Sequence, residues 1–210
     1  SLLYFLILFL LFARFNTVIF SFISTTSLNS DGIVCFEVNF KEFTIHFTYL
    51  AYLALTGVDK VKEFISKHGV KAEILEFKDT VESVNSASKA SGVPGDKILK
   101  TMIVIADRKP YVIVLPGDKK LSFKNIAITI GAKKVRLAKP SEVIDILGVK
   151  PGEVSPLMED VARLNVIFDK SVLSKNIVLV GGGSLHHLVK ISVKELIKAL
   201  KPKISIVAKP

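Results

Sequence analysis

Residues 59–210 predict a protein of the α/β class in the mixed α+β sense, with a mixed, largely antiparallel sheet surrounded by helices. The first sign is a pair of β-rich runs, Ile98 to Ala106 and Tyr111 to Leu115. Between them Asp107-Arg108-Lys109-Pro110 has the composition of a turn, which makes the pair a hairpin. The second is a series of helix-period segments, most of them opened by Ser or Thr and closed by glycine. The third is Gly181-Gly182-Gly183, a turn between two strand-like runs.

The elements follow in order. Thr56 is placed to cap a helix whose apolar positions Val58, Val61, Phe64 and Ile65 recur at helical spacing, and Gly69 ends it. Ala72 to Phe77 alternates as a strand, and Thr80 is expected to cap a second helix with Val81, Val84 and Ala87 on one face before Gly92. After the hairpin, Ser122 opens a helix through Ile126, Ala127 and Ile130 to Gly131, and Lys134 to Leu137 is a short strand. Ser141 is expected to cap a helix to Leu147. Two glycines and two prolines between Gly148 and Pro156 preclude regular structure there and imply a rigid loop. Leu164 to Phe168 and Asn176 to Val180 then read as strands, and His187 to Ile191 as the strand returning from the glycine turn. Ser192 and Glu195 have capping-box spacing for a last helix to Leu200.

Composition divides the chain near Gly57. Residues 1–57 hold ten of the fourteen Phe, two basic residues and three acidic ones; residues 58–210 therefore carry 27 basic against 16 acidic residues, a net of +11. Such a surface suits a polyanion, because neutralised phosphates release condensed counterions. RNA and anionic lipid both fit, and so does a solvated lysine-rich face. The single cysteine, Cys35, excludes an intramolecular disulfide and a cysteine-based zinc site, and a reducing cytoplasm is the simplest compartment.

Leu2 to Ala13 is an unbroken apolar run, and the chain stays largely apolar through Ile23. It reaches the roughly 20 residues of a membrane span only by including Arg14. It lacks the basic start and small-residue cleavage pattern of a secretory signal. The expectation is that residues 1–57 are an extension outside the functional domain, upstream sequence read through a misplaced start. A membrane anchor formed by residues 1–23 is the alternative.

Several chemistries are excluded by pattern. A dinucleotide fingerprint starting at Gly181 would need glycine at His186 and a helix behind it. Gly92 to Ile98 has no G-K-[ST] to place a phosphate-binding lysine and a magnesium-binding hydroxyl together. No G-x-S-x-G elbow is present. His186 and His187 are adjacent, so on a strand they face opposite ways and cannot chelate one metal. No metal and no cofactor are expected.

Lys100 inside an apolar strand, the loop 151–156 and the glycines 181–183 followed by histidine remain, and five segments in all carry a resemblance. They are Ile98-Leu99-Lys100-Thr101-Met102-Ile103-Val104 behind the helix of Val81 to Gly92; Leu115-Pro116-Gly117-Asp118-Lys119-Lys120-Leu121; Gly131-Ala132-Lys133-Lys134-Val135-Arg136-Leu137-Ala138; Pro151-Gly152-Glu153-Val154-Ser155-Pro156; and Gly181 to Ser192. In order and spacing they resemble the YbaK-like editing domain of the prolyl-tRNA-editing family over roughly 150 residues, and the resemblance implies the YbaK-like fold. It also implies an aminoacyl-tRNA deacylase that hydrolyses the ester of a mischarged tRNA, of the Cys- or Ala-tRNA(Pro) type, in trans. A catalytically silent tRNA- or synthetase-binding module of the same fold is the alternative. The implied partners are the acceptor end of mischarged tRNA and prolyl-tRNA synthetase.

The resemblance also assigns roles. Lys100, Gly152 and Ser155 are the implied catalytic residues; Pro156, Gly181, Gly182, Gly183 and His187 are the implied substrate contacts. An aminoacyl ester is already activated, so the site needs chiefly to place a nucleophile and stabilise an oxyanion. Gly152 lets backbone approach the substrate, and Pro151 and Pro156 stiffen the loop that presents its N–H groups. Lys100 would be a fixed cation on the substrate carbonyl or terminal phosphate; without the resemblance it would be a solvated strand lysine. Ser155 either bonds substrate or caps its turn. The three glycines form either a hairpin turn or a backbone nest for the tRNA terminus, and His187 either packs or lines the pocket. Asp118 and Asp169 are expected to be capping residues. Glu153 stands where some members have a second glycine, which leaves the discarded amino acid open.

Overall fold

The computed structural model describes residues 26–28, 34–36 and 55–209. It divides into two compact units, Ser1–Ala51 and Tyr52–Pro210. In the first, β1 (Thr26–Leu28) pairs antiparallel with β2 (Val34–Phe36). The apolar run expected as extension or anchor lies outside the described residues. Among the described residues, no helix is long and apolar enough to cross a membrane.

The second unit runs α1 (Gly57–His68), β3 (Ala72–Glu76), α2 (Val84–Ser91), β4 (Leu99–Ala106), β5 (Lys109–Pro116), α3 (Phe123–Ile130) and β6 (Val135–Leu137). There follow α4 (Pro140–Leu147), the single turn α5 (Glu159–Ala162), β7 (Asn165–Asp169), β8 (Ile177–Gly181), β9 (His187–Ser192), α6 (Val193–Leu200) and β10 (Lys203–Ser205). The strands of this unit form two sheets rather than one. The five-stranded sheet has the order β10-β7-β5-β4-β6, parallel at β10/β7 and β7/β5 and antiparallel elsewhere; β3-β9-β8 is wholly antiparallel. A lone parallel bridge, Ile98 to Leu179, joins β8 to the lead-in of β4.

Strand alternation distributes the core. On one face of the five-stranded sheet Leu99, Ile103, Val112, Val114 and Phe168 pack with Val178, Val180, Val189 and Ile191 of the smaller sheet, together with Val61 and Phe64 of α1 and Leu196 of α6. On the other face Val104, Ile113, Leu115 and Ile167 pack on Leu121, Ile126 of α3, Val207 and Ala208. Beyond the smaller sheet, Leu179 and Leu188 pack with Ile98, Val81 and Ala87 of α2.

The predicted hairpin is present with a shorter turn than its composition suggests. Asp107 and Arg108 both take left-handed φ (46° and 71°), so two residues suffice, and strand pairing resumes at Lys109. Pro110 faces Ile105 at the next, non-hydrogen-bonded pair of the ladder, where its missing N–H costs no bond to β4. Ser83, not Thr80, caps α2: Ser86 N–H donates to Ser83 Oγ at 3.0 Å and Ser83 N–H to Ser86 Oγ at 3.1 Å. The preceding residues are held extended because Val81 N–H donates to Leu185 O at 2.6 Å. Likewise α4 starts at Pro140, whose ring presets the first helical φ, so Ser141 lies inside the helix rather than capping it. Ser192 caps α6 through Glu195 N–H at 3.2 Å, but the Glu195 carboxylate accepts from Lys71 N–H at 3.0 Å, so the expected box is half formed.

Two buried charged side chains tie distant elements together. Lys60 is 1% exposed, and its ammonium donates to Asp160 Oδ2 at 2.9 Å and to Leu147 O at 3.0 Å, tying α1 to α5 and to the end of α4. Asp169 caps the following 3₁₀ turn, as expected, through Ser171, and its other oxygen accepts from Val207 N–H and Ala208 N–H, both at 2.9 Å. Burial raises its pKa, but the hydrogen bonds from Ser171, Val207 and Ala208 outweigh this and hold the carboxyl below the usual 3.8.

Lys60→Met should cost about 3 kcal/mol, because it takes the buried ammonium away from Asp160 and from Leu147 O; urea unfolding reads the loss. Asp169 has a depressed folded pKa, so its contribution is full above the ordinary carboxylate value and is lost as pH falls through the folded value. Asp169→Asn should therefore be less stable than wild type at neutral pH, and the two unfolding midpoints should converge in an acid titration.

Candidate functional site

The Ile98 to Leu179 bridge sets two strands in step. Two residues further along each stand Lys100 and Gly181, and by alternation they lie on the same face as Ile98 and Leu179. The Lys100 ammonium donates to Gly117 O at 3.0 Å and to Lys119 O. Burial pulls its pKa below 10.5, Asp118 opposes that, and Lys120 adds to it. Two of its three donors thus hold the loop after β5, and one remains for a ligand. The residues that resemble the family's P-G-D segment are therefore the immediate partners of the strand lysine.

Glycines bring the other segments together. A Cβ on Gly181 would stand 2.5 Å from Val154 O, so loop 151–156 lies directly on the end of β8. Gly152 has φ of +92°, and a Cβ there would meet Leu185 Cδ2 at 3.1 Å and Glu82 Cβ at 3.7 Å. A Cβ on Gly117 would stand 2.5 Å from Val84 Cγ1, so residues 82–84 bridge the surroundings of Gly152 to the loop that Lys100 holds. The start of α1 closes the group: a Cβ on Gly57 would stand 2.1 Å from Gly183 O, and one on Gly183 would stand 2.2 Å from Gly57 O. Two backbones cross there with no room for a side chain on either. Thr56, which caps α1 through Asp59 N–H, sits next to this crossing.

The structure thus gathers Lys100, Gly152 and the three glycines around one region. His187 is half-buried; its Nδ1 lies 2.7 Å from Ser184 Oγ, and its carbonyl accepts from Gly182 N–H at 2.9 Å. Ser155 is fully buried, and its hydroxyl accepts from Leu157 N–H at 3.1 Å, which is the turn-capping alternative. Pro156 is buried beside it. Both lie beneath the loop and support it rather than forming its surface. In the loop itself Glu153 N–H is closed on Lys150 O at 3.0 Å, while the N–H groups of Gly152 and Val154 have no hydrogen-bond partner among the described residues. The contributions of Gly57, Glu82, Val84 and Leu185 were missed. Of these only Gly57, a glycine at the start of a helix, carried a sequence signal.

Two open grooves lie elsewhere. One of about 950 Å³ is lined by His68, Tyr111, Arg163, Lys198, Lys201 and Lys203 among others. Another, of about 1120 Å³, includes Arg108, Lys133, Lys134 and Arg136. Both adjoin the hairpin-turn end of the five-stranded sheet, and neither includes a residue from the five segments' glycine cluster. Seven residues of β4, about 23 Å at strand rise, separate Lys100 from that turn. The chemistry this cluster offers is that of fixed N–H donors and one cation.

A family model described as an aminoacyl-tRNA editing domain matches residues 78–199, more than half of the chain. The proline–tRNA ligase of Lactobacillus johnsonii is 31% identical over 103 residues, 49% of this chain and 18% of the ligase. That of Anaeromyxobacter sp. (strain K) is 29% identical over 102 residues, 49% of this chain and 17% of the ligase. The chain thus spans under a fifth of the length of these curated relatives. The crystal structure of a hypothetical protein, APE2540, is 30% identical and superposes with a TM-score of 0.67 over 71% of this chain and 99% of its own. That of a candidate trans-editing enzyme for prolyl tRNA synthetase, 20% identical, superposes with a TM-score of 0.68 over 73% of this chain and 98% of its own, which establishes the shared fold.

The backbone crossing yields a prediction opposite in sign to helix propensity. Gly57→Ala would gain up to about 1 kcal/mol from propensity alone. The clash with Gly183 O should instead lower stability by about 2 kcal/mol, read as a fall in the urea midpoint.

Proposed function

This chain belongs to the aminoacyl-tRNA editing domain family, and from that premise we propose that it hydrolyses the ester linking a wrongly attached amino acid to tRNA. The observation that carries the reading is the convergence of Lys100, loop 151–156 and the 181–183 turn on one face, with unbonded loop N–H groups at Gly152 and Val154. Water attacks the ester carbonyl carbon, the carbonyl oxygen gains negative charge, and the bond to the ribose oxygen then breaks as that oxygen takes a proton. The Gly152 and Val154 N–H groups are the donors suited to the oxyanion, because they are already free of competing acceptors. The remaining Lys100 donor supplies positive charge to the carbonyl or to the terminal phosphate. Ser155 and Pro156 hold the loop from below, and Gly181, the half-buried member of a glycine turn whose Gly182 and Gly183 are buried, offers backbone to the 3′ end of the RNA.

The substrate we favour is a small amino acid, cysteine or alanine, on tRNA for proline, removed in trans. The resemblance to part of proline–tRNA ligases supports this choice and makes the synthetase the natural partner. The net charge of +11 over residues 58–210 suits the tRNA backbone, and a cytoplasmic location goes with that substrate. The second reading, a binding module without hydrolysis, is favoured by one observation: the hydroxyl of Ser155 is buried and already engaged.

The test is release of amino acid from a panel of mischarged tRNAs by the full chain, at stated salt. Selective release should fall about a hundredfold in Lys100→Ala and in Gly152→Ala, the size expected for losing a fixed oxyanion contact. Binding of tRNA without release from any member of the panel would establish the module instead.

A further inference from the structure

An aminoacyl ester carries one positive charge, the α-ammonium, and the groups assigned so far are all N–H donors or a cation. A site that reads the free amine needs an acceptor, best an anion. Three carboxylates border the loops of the site: Asp118, Glu153 and Glu82. Asp118 already acts on the Lys100 ammonium. Glu153 Oε2 accepts from Lys150 N–H at 3.0 Å. Glu82 is exposed and has no ion-pair or hydrogen-bond partner among the described residues. Its position is nonetheless constrained. The neighbouring Val81 N–H donates to Leu185 O at 2.6 Å, Ser83 caps α2, and Glu82 Cβ lies 3.7 Å from the point where a Cβ of Gly152 would stand. A carboxylate held beside the proposed oxyanion loop, in a unit with eleven excess positive charges, has few other local roles; an exposed anion just before α2 also favours that helix's N-terminus, but this does not require contact with Gly152.

We propose that Glu82 binds the α-ammonium of the aminoacyl ester and makes the site selective for substrates with a free amine. The proposal rests on the deacylase reading for its substrate, but it can be tested apart from turnover. The probe is adenosine carrying alanine through a 3′-amide, which cannot be hydrolysed as an ester, compared with its N-acetyl twin. At mildly acidic pH the full-length protein should bind the free amine about tenfold more tightly, the size of one well-placed charge contact. In Glu82→Gln, which keeps shape and loses charge, the two probes should bind within about twofold, whereas the surface control Glu63→Gln should keep the wild-type ratio. The wild-type preference should also fade as pH rises through the pKa of the probe's α-ammonium, with no such trend in Glu82→Gln.

Equal binding of the two probes by wild type, or an undiminished preference in Glu82→Gln, overturns the proposal. Release of amino acid from aminoacyl-tRNA and N-acetyl-aminoacyl-tRNA at the same rate overturns it while leaving deacylation intact. A Glu82-dependent preference in binding without release from any tRNA upholds it and removes hydrolysis. Failure to bind either probe, together with failure to release amino acid, removes both.

Discussion

The second unit is organised by a strand that must be buried on both faces. Val112, Ile113, Val114 and Leu115 of β5 have no exposed surface, so each side of the sheet has to be covered by something else. Burying such side chains contributes on the order of 2 kcal/mol each, and no partly covered arrangement recovers that. The antiparallel partner β4 and the parallel partner β7 complete the backbone bonding of β5, leaving the faces for α3 and the C-terminal segment on one side and for α1, α6 and the smaller sheet on the other. The candidate site is a by-product of this packing. The smaller sheet packs its inner face on the five-stranded one and is bridged to it at the lead-in of β4, where Ile98 meets Leu179 two residues before Lys100 and Gly181.

Close backbone approach then does what side chains do in many sites. Gly57 against Gly183 and Gly181 against Val154 O are contacts in which a single methyl group would displace a main chain. Such crossings bring amide groups from remote parts of the sequence near one another without intervening side chains. Lys100 belongs to the same economy of donors. Through two N–H bonds to the Gly117 and Lys119 carbonyls it holds the loop beside β5, and one N–H of the ammonium remains.

Lys60 with Asp160, and Asp169 with the Val207 and Ala208 amides, hold elements together through buried charge and lie among helices and the C-terminal segment. The acidic groups that border the site are more exposed, and Glu82 has no partner among the described residues. A carboxylate that stabilised the fold through an ion pair would not be free to meet a substrate charge. The buried charges are thus closed on partners inside the fold, and Glu82, beside Gly152, is the one of the three bordering carboxylates left open among the described residues.

Much of this was legible in the sequence because it is local. Apolar alternation, Ser caps and glycine stops specified the hairpin, α1, α3 and the strand after the glycine turn. Five ordered segments pointed to the family, which the family model over residues 78–199 bears out, and the structure brings Lys100, Gly152 and Gly181 to Gly183 of those segments into one region. Errors arose where a distant partner outweighed a local preference. Thr80 lost α2 to Ser83 because Val81 is tied to Leu185, and Glu195 left its capping box for Lys71 N–H. β10 was missed because its only strand partner is β7, more than thirty residues earlier. Residue types and their spacing determined by themselves most of the helices and strands and where glycine ends them. Only the tertiary structure decided that the sheet is two sheets, that Ser155 is buried, and that Gly57 and Glu82 stand at the site. Those facts depend on contacts between residues far apart in sequence, and periodicity carries no record of them.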